Sequence, residues 1–505
     1  MKILTGGQFR ELDRYTIENL PIPSIELMER ASRAVADVIR RRYDASRRVI
    51  IFAGPGGNGG DGLAVGRLLA ADGRDVTAYL FNVGKGISPD CATNRDRIAA
   101  TPGATLHEVV AEFRFPELRP TDIVVDALFG TGLSKALDGG FALVARGINA
   151  SSATVVAIDM PSGLMCEDNT YNDSSSIVRA TLTVGIQMPK LAYLFPENQR
   201  YVGEFTLVDI GLCQSGIDQL QAHLWLTEPA EVAAMLRQRP PFAHKGTMGH
   251  ALLVAGSRGM AGAAILAARA ALRSGLGKLT LHTPYDNLDI LQTSVPEAIV
   301  QVDADPEHIT AAFDATTFQA VGIGPGITTH RHTAAALHAY LQQQTGPLVL
   351  DADALNILAQ NHEWMRHVHA DTILTPHPGE MDRIVGHCQS TYERMARTRN
   401  LAINHHLFIV LKGRYTMVCT PAGDVLFNPT GNPGMATAGA GDVLTGIITG
   451  LLAQGYLPAE AATLGVYLHG LAGDIAAQAL SEESLIASDI IAHLPDAFRR
   501  LREHP

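Results

Sequence analysis

Cysteine is scarce in this chain. Its 505 residues hold five, Cys91, Cys166, Cys213, Cys388 and Cys419, far apart and without a CxxC pair, which argues against a disulfide framework and a cysteine zinc site. Aromatic residues make up only 6% while 48 glycines are present, a balance that does not suggest disorder and suits α/β folds with many tight strand-to-helix turns. A basic excess is also missing. The formal net charge of -11 gives no electrostatic footprint for nucleic acid or for an anionic membrane. One of the most apolar stretches, residues 443–452, falls well short of the ~20 residues that span a bilayer. The opening MKILTGGQFRELDR lacks an apolar h-region, so a cytoplasmic location is expected. Small-molecule chemistry is the function class left standing.

The length exceeds what one hydrophobic core usually supports, so two domains are expected. Leu27, Ala31, Val35, Val38 and Ile39 stand at helical spacing within residues 24–42, and the apolar run 49–53 that follows predicts a buried strand ending at glycines. The same rhythm predicts strands at 75–81, 122–128, 154–160, 180–185 and 205–210, and a doubly wound α/β sheet. Around Trp225 and Pro229 the pattern weakens before strands resume at 250–255, 278–283, 320–324, 347–351, 372–375 and 407–412. The domains are accordingly set at 1–225 and 226–505.

GPGGNGGDG, residues 54–62, follows a strand and opens a helix, so backbone amides can approach an anion unobstructed. It is neither GxGxxG nor a Walker loop, because no GK[ST] follows and Asp61 sits inside the turn. DALFGTGL (126–133) and DMPSG (159–163) close two more strands, at the sheet end where open α/β folds bind ligands. Asn58, Asp126 and Ser162 could supply hard oxygen ligands for a cation, and Asp159 could act as a general acid or base. Taken singly, the glycine loop could be a plain turn, and Asp126 and Asp159 could be caps.

Three motifs in this order resemble the N-terminal domain of the YjeF family, the NAD(P)H-hydrate epimerases, over about residues 1–215. The resemblance implies that Gly57, Asn58, Gly59, Gly60, Asp61, then Gly130, Thr131, Gly132, Leu133, Ser134, Lys135, Ala136, and Asp159 contact a hydrated nicotinamide nucleotide. It places a potassium ion among Asn58, Asp126 and Ser162. The chain departs from the family at Gly57, where a second asparagine usually precedes the Gly-Gly-Asp.

In the second half, GAGD (439–442) follows a Gly/Pro-rich loop and precedes an apolar helix, which aims its amides and the Asp442 carboxylate at one spot. An aspartate there can take a hydroxyl proton during phosphoryl transfer. This signature resembles the ribokinase-like superfamily. With KGTMGHALLVAGS (245–257), GMAGAAILAARAALRSGLGK (259–278), GIGPG (322–326), DADALN (351–356), TPHPGE (375–380) and KGRYT (412–416), it resembles the ADP-dependent NAD(P)H-hydrate dehydratases. That resemblance implies hydrate contacts at Ala263, Gly326, His377 and Asp442, and nucleotide contacts at Lys412, Gly413, Arg414, Tyr415, Thr416 and Gly441.

The expected architecture is a Rossmann-like αβα sandwich followed by a ribokinase-like αβα domain. The expected activity interconverts the R and S epimers of NADHX and NADPHX and dehydrates the S form with ADP and Mg²⁺, in a homo-oligomer. The rival reading is a vitamin or sugar kinase with a non-catalytic N-terminal binding domain, distinguished by a stable phosphorylated product. His330/His332, His367/His369 and His405/His406 have polar surroundings and lack a third ligand at metal spacing, so they are read as surface residues. His377 taken singly could be a turn residue, and Lys412 a solvated charge.

Overall fold

Each strand anticipated from an apolar run is present, with limits shifted by no more than two residues. The computed structural model describes residues 1–84, 86–311 and 315–503. The chain divides into two compact units: Lys2–Ala222 with Ser390–Tyr392, and Met1 with His223–Gln389 and Glu393–Pro505.

In the N-terminal unit, β1 (Val49–Ala53), β2 (Val76–Phe81), β3 (Ala104–Val109), β4 (Ile123–Ala127), β5 (Thr154–Ile158), β6 (Leu182–Ile186) and β7 (Glu204–Val208) form one sheet in the order β3-β2-β1-β4-β5-β6-β7. Every pairing is parallel. β1 is apolar at every position because both of its faces are covered. Val49, Ile51 and Ala53 pack with Val35 and Ile39 of helix Ser24–Arg42 and Leu63 of helix Gly57–Ala71, whereas Ile50 and Phe52 pack with Val144 and Ile148 of helix Gly139–Ala150. The strand order reverses at β1, so a crevice opens above the C-terminal ends of β1 and β4. There the backbone crowds: a Cβ on Gly54 would lie 1.9 Å from the Leu128 carbonyl oxygen, and one on Gly59 1.8 Å from that of Gly54.

The second unit contains β8 (Leu224–Leu226), β9 (His250–Val254), β10 (Lys278–Thr283), β11 (Ile299–Val302), β12 (Ala320–Ile323), β13 (Leu348–Leu350), β14 (Ile373–Leu374), β15 (Phe408–Leu411), β16 (Met417–Cys419) and β17 (Val425–Phe427). Their order is β11-β10-β9-β12-β13-β14-β15-β16-β17-β8, parallel as far as β15 and antiparallel through β16 and β17. β8 pairs with β17, so Trp225 belongs to the second sheet and the expected limit at 225/226 falls inside a strand. Three residues are too few to show a period, which is why this edge reads as linker in sequence.

Helix Ala440–Ala453 is buried along nearly its whole length and lies on helix Ala261–Arg273. The approach is close enough that a Cβ on Gly446 would stand 2.1 Å from the Ala267 carbonyl oxygen. Gly446→Ala is therefore expected to destabilise this unit by about 1–3 kcal/mol, seen as a lower urea midpoint in equilibrium unfolding. An unchanged midpoint would mean that the two helices separate freely. The five cysteines are free thiols, and no helix among the described residues is long and apolar enough to cross a membrane.

Candidate functional site

In the N-terminal unit the expected residues gather over the C-terminal strand ends. Asp126, next to last in β4, is fully buried and accepts two hydrogen bonds from Ser162: from Oγ at 2.6 Å and from the backbone N at 2.7 Å. Ser162 Oγ also accepts from the Phe129 amide at 2.9 Å, which ties the loop after β4 to the one after β5. Burial pushes the Asp126 carboxyl up to about 6, against the lowering effect of the Ser162 bonds. Asn58, in the first turn of helix Gly57–Ala71, sits against Gly130, where a Cβ would be 3.4 Å from its Oδ1. Its Nδ2 is buried without a hydrogen-bond partner. Gly57 has open space around it, and Ser134 and Lys135 are exposed, Lys135 pairing with Asp138 at 3.3 Å.

Asp159 follows β5 with φ of 62°, a left-handed conformation that a non-glycine residue holds only when its surroundings enforce it. The enforcing groups are visible. The fully buried Lys190 ammonium pairs with Asp159 Oδ1, the Ile186 amide donates to the same oxygen at 3.1 Å, and the Tyr193 hydroxyl donates to the Asp159 carbonyl. Lys190 also donates to the Ile186 carbonyl at 2.9 Å and lies 4.5 Å from the Phe9 ring centre. Withdrawal from solvent, with the charges of Asp159 and Asp13, holds the Asp61 carboxyl well above the usual carboxylate range.

In the second unit, Gly439 caps helix Ala440–Ala453 with φ of 89°, and Gly441 and Asp442 occupy the first turn. Burial, then the charge of Asp351, pushes the Asp442 carboxyl up to about 7, while Lys412 pulls it down. Lys412, at the end of β15, donates to Asp351 Oδ1 at 2.9 Å and stands 3.9 Å from Glu380 Oε2. Thr445, one turn into the helix, donates to Asp351 Oδ2 at 2.5 Å, so a single carboxylate joins the lysine to the GAGD helix. Gly326 has φ of 64°, and a Cβ there would meet the Ala263 Cβ at 3.1 Å, which makes those two expected residues neighbours.

His377 caps helix Pro378–Val385, its Nδ1 accepting from the Gly379 and Glu380 amides at 3.1 and 3.4 Å, with its half-exposed ring 3.3 Å from Glu380 Oε1 through Nε2. Thr416 Oγ1 donates to the Gly413 carbonyl at 2.9 Å, and Arg414 donates to the Pro429 carbonyl at 2.9 Å, closing the loop that holds Tyr415. Among the described residues no three His, Cys, Asp or Glu side chains are grouped to hold a metal. Lys190, Tyr193, Thr445 and Glu380 were absent from the expected set. Only Glu380 carried a local signal, as the third residue after a helix-capping position.

Comparison with known proteins follows both halves of the chain. Residues 24–192 match the family described as YjeF-related protein N-terminus, and residues 251–496 the one described as NAD(P)H-hydrate dehydratase. The chain is 37% identical to the bifunctional NAD(P)H-hydrate repair enzyme Nnr of Moorella thermoacetica, over 100% of this chain and 98% of that protein. It is 34% identical to the Nnr of Coxiella burnetii over 96% and 97% of the two chains. Among solved structures, the ADP/ATP-dependent NAD(P)H-hydrate dehydratase of Bacillus subtilis, co-crystallised with ATP/Mg²⁺, is 34% identical with a TM-score of 0.48, covering 55% of this chain and 98% of that one.

Proposed function

The chain belongs to the family of bifunctional NAD(P)H-hydrate repair enzymes, and from that premise we infer that it interconverts the R and S epimers of NADHX and NADPHX in its N-terminal unit and dehydrates the S epimer at the expense of ADP in its second. The observation that carries this reading is that one chain holds two acid sites, Asp159 just past β5 and Asp442 at the start of helix Ala440–Ala453, each in the half whose family fits it.

In the epimerase, Asp159 exchanges a proton with the hydrate, held there by Lys190 and the Ile186 amide. Gly57–Asp61 and Gly130–Ala136 would line the nucleotide. Asn58, Asp126 and Ser162 would hold a potassium ion through their side-chain oxygens, hard donors of the kind such a cation takes. The ion would supply positive charge for the substrate's phosphates. Because a cation at Asp126 competes with its proton, potassium affinity is expected to rise as pH rises through about 6. Titration of epimerase activity with potassium chloride at several pH values checks this; a constant half-saturation would place the ion elsewhere.

In the dehydratase, Asp442 takes the proton of the ring hydroxyl while that oxygen bonds to the terminal phosphorus of ADP, and AMP leaves. Loss of phosphate together with a ring proton then restores the double bond. Amides at the start of the helix, Gly441 among them, receive the negative charge that develops, and Lys412 to Thr416 hold the nucleotide. Ala263, Gly326 and His377 would border the hydrate. Mg²⁺, when bound with the nucleotide, would neutralise charge on its phosphates. The enzyme would act in the cytoplasm as a homo-oligomer.

The test is an epimer mixture supplied with ADP, followed by dihydronicotinamide absorbance and chromatography. Complete conversion to NADH or NADPH, with AMP and phosphate released, is expected. Accumulation of a stable phosphorylated product would favour the kinase reading instead.

A further inference from the structure

The second unit holds a concavity of about 230 Å³ whose wall includes Arg237, Arg239, Arg273 and Arg502, with Tyr456 and Phe498 between them. It surrounds Gln454, the residue that caps the C-terminal end of helix Ala440–Ala453. Asp442 lies twelve residues earlier on that helix, so at 1.5 Å per residue the two sites stand ~18 Å apart, at opposite ends of the sheet.

Four guanidinium groups around one hollow repel each other, and in a chain of net charge -11 carboxylates to offset them are plentiful. Yet among the described residues only Arg237 has a carboxylate partner, Glu460 at 2.9 Å. All four are exposed, and three of them are nevertheless held by backbone or ring contacts. Arg237 stacks 4.4 Å from the Tyr456 ring centre and donates to the Gly455 carbonyl at 2.9 Å. Arg239 donates to the Gly275 carbonyl, and Arg502 to the Arg237 carbonyl at 3.2 Å. Capping of helix ends accounts for Arg237 and Arg239. It leaves Arg273 with no hydrogen bond or ion pair among the described residues, and Arg502 with most of its five N–H donors unspent.

We propose that this hollow is a second anion site, remote from both reacting centres, which takes a small polyanion of the diphosphate type. Guanidinium groups bind phosphate oxygens bidentately, and the three held arginines lose less freedom in doing so than unanchored ones would. The proposal is independent of the catalytic reading, because no residue of either acid site contributes.

Isothermal titration of the full chain with inorganic pyrophosphate tests it, comparing the parent, Arg273→Gln/Arg502→Gln, and a charge-matched Arg33→Gln/Arg41→Gln control in the other unit. The expected result is a saturable event weakened at least about tenfold in the first variant only, with melting temperature and dehydration kinetics unchanged. Equal affinity in all three proteins, equal weakening by both variants, or no saturable uptake by the parent would overturn it.

Discussion

Replacing Asp442 by asparagine is expected to slow dehydration by about 10³-fold while leaving ADP binding and epimerisation intact. The carboxyl sits in the first turn of a buried helix, where amide groups favour negative charge, yet burial and Asp351 together push its pKa up to about 7. A base with that pKa is balanced between holding and releasing a proton near neutral pH. Asparagine keeps the size and the contacts but cannot accept the proton. The sign of the pH dependence follows: the unprotonated form is the active one, so kcat/KM for dehydration should climb from acid pH and level off above about 7. Retention of even a tenth of the activity in Asp442→Asn, or a profile that falls across that range, would remove Asp442 from the role of base.

The Asp442 site was legible because its signal is local. Glycines, an acid and a long apolar run within one short segment announce a helix start aimed at an anion. Asp126 and Ser162 were legible for a related reason, since strand ends in a parallel sheet share one rim. What holds these groups was not legible. Asp351 meets Lys412 across 61 residues of sequence and Thr445 across 94, and no spacing rule links them. β3 and β11 were missed as well. Their residues are largely exposed at sheet edges, so they lack the continuous apolar run that marks β1 and β4. The β16–β17 hairpin was missed because strands of three residues show no alternation. His377 is the intermediate case. Its placement in TPHPGE was read as a ligand contact, and the fold gives it a capping role as well, its Nδ1 turned to the helix and its Nε2 toward Glu380.

Lys190→Met is the complementary experiment in the other unit, where the same logic predicts a loss through a neighbour. Lys190 is 1% exposed and its ammonium has two oxygen partners, Asp159 Oδ1 and the Ile186 carbonyl. Removing one member of a buried pair leaves the other charge uncompensated, at a cost of about 3–5 kcal/mol. An Asp159 carboxylate with its Lys190 anchor gone is less firmly held in place and should slow epimerisation by about 10²-fold, while dehydration of the S epimer proceeds at the parental rate. A purely structural lysine would give a different pattern, which a double-mutant cycle exposes. If Lys190 acts through Asp159, adding Lys190→Met to Asp159→Asn costs no further activity, and part of the lost stability returns because no buried charge is left alone. Two independent, multiplicative losses in epimerase rate would instead mean that Lys190 and Asp159 serve the reaction separately.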